Sequence, residues 1–223
     1  MKKSRQKWRR VSPQISTQTV DGTILLGIAI GLVAAYVVVP SDSAFVFTYN
    51  DPSVLTMWTA ATQHDTVSHL ASNVATYALV VGITYPIYVA QKRRTEFWLT
   101  IAGCLLITPL VTTAGDYWLL AVHWDVVAPT ATAQGFSGVV SAFVGVLFVS
   151  LIGPTAAMVF RDSIHTNQPQ WPLFGVRWMI ALVLTVTLLR TSVTDGRLVS
   201  GLVHLIGLIT GSLIATAVLL SDR

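Results

Sequence analysis

Long stretches without charge organise this chain. Between Asp21 and Asp42 lie 20 residues with no charged side chain. Further gaps of 26, 19, 35 and 24 residues separate Asp65 from Lys92, Glu96 from Asp116, Asp125 from Arg161, and Arg197 from Asp222. Each gap is mostly apolar and long enough to cross ~30 Å of hydrocarbon as a helix rising about 1.5 Å per residue. A sixth apolar segment, 174–193, keeps Arg177 and Arg190 near its ends, where long side chains snorkel to the headgroups. The pattern predicts six spans, at 22–40, 67–90, 96–114, 135–156, 174–193 and 198–220. The expected fold class is all-α, a polytopic bundle of six transmembrane helices. Residues 1–21 form a basic N-terminal segment in this reading, 22–220 the membrane domain and 221–223 a short tail.

Composition agrees with that class. Apolar residues make up 53% of the chain, mean hydropathy is +0.65, and charged residues are only 11%. A soluble domain of this size cannot bury that much apolar surface, and a disordered chain would carry more charge. The single cysteine, Cys104, rules out a disulfide scaffold and reads as an inert small hydrophobe within a span. Net charge is +4, but the charges are too few and scattered to form a nucleic-acid-binding face.

Lys and Arg set the expected orientation. Six lie in Met1–Arg10, three more are Lys92, Arg93 and Arg94, and Arg161, Arg177 and Arg223 complete one side. Only Arg190 and Arg197 fall on the other. Both termini are therefore expected in the cytoplasm of a cell-membrane protein. A rival reading takes the basic start and first apolar run as a signal peptide cleaved near Ser41-Asp42-Ser43-Ala44. That run is long for such a segment, and its loss would leave five spans. The outer loops, 41–66 and 115–134, are rich in aromatics (Phe45, Phe47, Tyr49 and Trp58 in the first, Trp118 and Trp124 in the second), which suits a membrane interface.

Polar side chains inside spans are functional candidates, because the bilayer opposes them. Span two opens with His64, His69 and Asn73, span four with Gly135-Phe136-Ser137-Gly138, and span six carries His204, Gly207 and Gly211. These three spans run in the same direction, so all three polar groups fall near the outer ends of their helices. Ser137, Ser141 and Gly145 recur every fourth residue, and His204, Gly207, Gly211 and Ala215 form a second small-residue stripe. Two such stripes let helix backbones approach closely. A serine becomes a nucleophile when a neighbouring neutral imidazole takes its proton. Ser137 is the candidate nucleophile and His204 its base. His69, Asn73 and the backbone N–H of Ser137 are candidate donors to an oxyanion.

The three segments, HDTVSHLASN, GFSG and HLIGLITG, resemble in order and placement the signature of the rhomboid intramembrane serine proteases. The resemblance covers essentially the whole chain as a bare six-helix core. It implies a Ser137–His204 dyad and an oxyanion hole of His69, Asn73 and Ser137 backbone. It gives His64, Gly135, Gly138, Gly207 and Gly211 structural roles near the site. It implies hydrolysis of peptide bonds in or near transmembrane segments of single-span or polytopic membrane-protein substrates, with the lipid bilayer as surroundings. It implies no metal, no cofactor and no nucleic-acid partner. Two departures stand out. Leu55-Thr56 occupy the place where many members have a Trp-Arg pair, and Ser141 stands where some place a tyrosine that stacks on the catalytic histidine.

Other readings of the same residues are an inactive rhomboid-like scaffold that binds transmembrane helices, and a metal site built from His64, His69, His123 and His204. A Ser–His–Asp triad would need Asp65, Asp116, Asp125 or Asp195, none of which the spacing puts at the depth of His204.

Overall fold

The computed structural model describes residues 13–40, 44–128, 130–162, 179 and 198–221. Six α-helices occupy them: α1 (Pro13–Val38), α2 (Val54–Thr59), α3 (Val67–Ala90), α4 (Arg94–Asp116), α5 (Ser137–Asp162) and α6 (Leu198–Ser221). Four helical segments, Thr17–Val38, Val67–Ala90, Arg94–His123 and Gly201–Ser221, are long and apolar enough to cross a membrane. Helix α5 adds a fifth apolar helix. The chain is thus a mostly helical protein consistent with a membrane location. The expected span 174–193 and the basic residues 1–12 lie outside the described residues.

Helix α5 sits at the centre. Val139, Val140, Ala142, Phe143, Val144, Val146 and Leu147 are all buried. Tyr77 of α3 packs its ring on Phe136 and Phe143 at centroid distances of 6.2 and 5.6 Å. Helix α1 is peripheral and leaves Leu26, Ile30 and Val37 exposed, as a lipid-facing helix would.

Between α5 and α6 the backbones touch. A Cβ on Gly207 would collide with the Gly138 carbonyl, and one on Gly211 with the Ala142 carbonyl. Gly145 packs on Leu208 and Ser212 in the same manner. The two small-residue stripes therefore face each other, and the pairs advance together along both helices, so α5 and α6 run parallel. Lipid tails are as apolar as leucine, so this close packing is what draws the helices together.

Two carboxylates differ from expectation. Asp21, taken as the boundary before the first span, lies within α1 and is fully buried. It accepts hydrogen bonds from Tyr85 Oη (2.6 Å), Arg94 Nε (2.6 Å) and Nη2 (2.5 Å), and Trp98 Nε1 (3.0 Å), tying α1 to α3 and α4. Asp116, taken as the end of the third span, is also buried, and its carboxylate accepts the Tyr49 hydroxyl. The helix continues past it as a π-helical turn, Tyr117–His123. The second loop therefore begins near residue 124 rather than 115.

The two loops pair with each other. Strand β1 (Phe47–Thr48) runs antiparallel to β2 (Thr132–Ala133), with Phe47 opposite Ala133. Phe47 and Tyr49 turn inward and meet Tyr117 in a small second core, whereas Phe45 and Trp58 stay exposed.

Replacing Gly211 by valine should lower stability by about 1–3 kcal/mol, the usual cost of overpacking a filled contact. Gly82→Ala, at an open position on α3, should leave it unchanged or slightly raised. Thermal denaturation in detergent compares the two.

Candidate functional site

The site forms where α3, α5 and α6 begin. Helix α3 starts at a Thr66 cap whose Oγ1 accepts the His69 backbone N–H at 3.2 Å. His69 is thereby fixed in the first turn, and Asn73 lies one turn further on. Just before the helix, the 3₁₀ turn Ala60–Thr62 leads into Gln63 and His64, both buried.

His64 is the hinge pin between two segments. Its Nε2 lies 3.0 Å from Asn73 Nδ2 and 3.4 Å from the Phe136 backbone nitrogen. Both partners are donors, so Nε2 accepts and the ring proton sits on Nδ1. Burial, followed by the neighbouring His69, pushes the His64 pKa down to about 4. His64 is therefore neutral at pH 7, as an acceptor must be.

The chain reaches Ser137 through a bend that only glycine suits. Gly135 has φ +126°, and its N–H donates to the Ala60 carbonyl at 2.9 Å. A Cβ there would lie 2.6 Å from His69 Cε1 and 2.9 Å from Nε2. The imidazole of His69 thus rests on the backbone two residues before Ser137. Ser137 opens α5 and is half-buried. Backbone N–H groups in the first turn of a helix have no intrahelical acceptor. The carbonyl of Ser137 accepts the Ser141 hydroxyl at 2.9 Å.

His204 lies in the second turn of α6, one turn before Gly207. Gly207 abuts the Gly138 carbonyl, and Val203 Cγ1 would lie 3.1 Å from a Cβ on Gly138. The residues bracketing His204 on α6 therefore pack against the residue that follows Ser137. His204 is half-buried, with His69 within electrostatic range. Thr112 of α4 closes the other side of Gly138.

The structure thus gathers His64, His69, Asn73, Gly135, Ser137, Gly138, His204 and Gly207 at one end of the bundle, with Gly211 one turn deeper. Asn73, read as an oxyanion donor, spends one amide hydrogen on His64 and keeps the other. His123 lies apart, stacked on Trp118 at 5.4 Å. Among the described residues, no group of three or more His, Cys, Asp or Glu converges as a metal site. Asp195 lies outside the described residues.

Sequence reasoning missed one partner. Asp65 Oδ1 lies 2.8 Å from His69 Nδ1. Partial burial raises the Asp65 pKa, but the bond and charge of His69 and the backbone N–H groups of Asp65 and Thr66 outweigh it. The carboxyl therefore lies below its ordinary value and is ionised at pH 7. The i, i+4 spacing at a helix start was the available signal.

No protein-family model matches the chain, and no curated protein matches it.

Because folded His64 protonates near 4 and an unfolded histidine near 6.5, its contribution to stability is complete above pH 6.5. It declines as pH falls toward 4. Thermal stability of the detergent-solubilised protein should drop over that window. In His64→Gln, the pH slope of stability should be shallower by up to about one proton.

Proposed function

We propose that this chain is a rhomboid-like intramembrane serine protease with a Ser137–His204 dyad. The observation that carries the reading is the Gly138–Gly207 backbone contact, which packs the start of α5 against the α6 turn next to His204. The order and spacing of the three motifs, and the His69 ring seated on Gly135, support it independently.

In this reading, His204 takes the proton from Ser137 Oγ as the oxygen attacks the scissile carbonyl carbon. The carbonyl oxygen becomes an oxyanion. Backbone N–H at the start of α5, His69 and the free amide hydrogen of Asn73 donate to it. Protonated His204 then gives its proton to the leaving amine, and the C–N bond breaks to leave an acyl-enzyme. Water, deprotonated by the same imidazole, releases the acid product and restores Ser137. Substrates are transmembrane segments that enter sideways from the bilayer. Small or helix-breaking residues near their outer ends would expose a peptide bond at this depth. Six spans, cytoplasmic termini and a site open to the outer face belong to the same proposal and rest on the distribution of Lys and Arg.

Detergent-solubilised protein incubated with a tagged single-span substrate tests it. Wild type should cleave, and Ser137 should label with a fluorophosphonate. Ser137→Ala and His204→Ala should each abolish cleavage while retaining the fold. Cleavage surviving in Ser137→Ala would remove the assignment. Wild type that binds transmembrane helices without cutting them would make the chain a scaffold. Asn73→Ala should lower kcat by roughly 10²-fold, the usual effect of losing one oxyanion donor.

A further inference from the structure

We propose that Asp65 is a positioning residue for the reaction, holding His69 with its Nε2 edge turned to the oxyanion. The inference rests on the protease reading above and adds a residue to it. Three observations carry it. Asp65 Oδ1 and His69 Nδ1 are 2.8 Å apart across the first turn of α3. The opposite ring edge, Cε1 and Nε2, lies against Gly135, just ahead of Ser137. The His69 main chain is separately fixed by the Thr66 cap, so the carboxylate contact selects the ring orientation rather than the helix start.

A carboxylate accepts at Nδ1, so Nδ1 carries a proton. Nε2 then donates to an oxyanion when the ring is doubly protonated, and Asp65 balances that charge. The other titratable rings facing His69 are His64, edge-on at 5.1 Å, and His204. His64 accepts at Nε2 from Asn73 and Phe136, which leaves Asp65 as the anion beside His69. An asparagine at position 65 can serve Nδ1 through either end of its amide. By donating to Nδ1, it places the proton of a neutral ring on Nε2 and preserves the donor.

Asp65 is about half exposed, at 52%, so its effect is modest. In the substrate assay, Asp65→Ala should lower kcat about fivefold with KM unchanged, the scale of an exposed pair. The same change in a His69→Ala background should have no further effect. Asp65→Asn should recover most of the lost rate. The two Asp65 single variants should keep the wild-type melting temperature within about 2 °C, since surface substitutions shift stability little. An unchanged kcat in Asp65→Ala, or a loss that adds fully to that of His69→Ala, would overturn the proposal. A loss near 10⁴-fold in Asp65→Asn would also overturn it, because that is the signature of a base held in the wrong tautomer. Cleavage that persists in Ser137→Ala would take down the underlying protease reading, whereas Ser137-dependent cleavage indifferent to Asp65 would remove this inference alone.

Discussion

The contact between α5 and α6 sets the position of everything near Ser137. In a bilayer, two apolar helices gain nothing by hiding from lipid, so their register must come from shape. Here it comes from carbonyls seated in spaces that side chains would fill: Gly138 on Gly207, Ala142 on Gly211, and Leu208 on Gly145. The contacts recur at intervals of three and four residues along both helices, so slipping by one residue would drive side chains into backbone. Register and chemistry are thereby linked. Ser137 precedes one contact residue and His204 lies one turn before its partner.

The other wall of the site is built differently. Helix α3 meets the 135–137 segment through hydrogen bonds relayed by His64 as well as by packing His69 on Gly135 and Tyr77 on Phe136. His64 bridges Asn73 and the Phe136 N–H, and Ala60 takes the N–H of Gly135. The β1–β2 pairing and the Tyr49–Asp116 bond hold the loop segments that lead into these residues. A buried ring that accepts two hydrogen bonds must stay neutral, and burial enforces that state. The site thus joins a wall set by volume to a wall set by protonation.

The helices were legible because a charge in hydrocarbon is expensive, so uncharged gaps mark spans. The same rule misread Asp21 and Asp116. Each reads as an edge in the sequence, yet each is buried with donors supplied from distant sequence: Arg94, Tyr85 and Trp98 for one, Tyr49 for the other. No local pattern announces such partners. Strands of two residues carry no alternation to detect, so the pairing of the loops was invisible, and the aromatics Phe47 and Tyr49 passed for interface residues. The motif residues follow helical spacing of three and four, which places side chains on one face. Asp65 and His69 obey that spacing too. Asp65 does not stand out in the sequence because the depth of His204 is no guide to a carboxylate that pairs with His69.

Four histidines show how neighbours assign roles to one side chain. His123 lies flat on Trp118, away from the rest. His64 faces only donors at Nε2 and is an acceptor. His69 faces a carboxylate at Nδ1 and is a donor there. In the proposed reaction His204 gains a positive charge when it takes the serine proton, with His69 in electrostatic range. An uncompensated charge on His69 would oppose that transfer while helping the oxyanion. In the proposed arrangement Asp65 would ease the conflict, because its carboxylate at Nδ1 would offset positive charge on the His69 ring. The carboxylate that a soluble triad places behind its base would here stand behind the oxyanion donor.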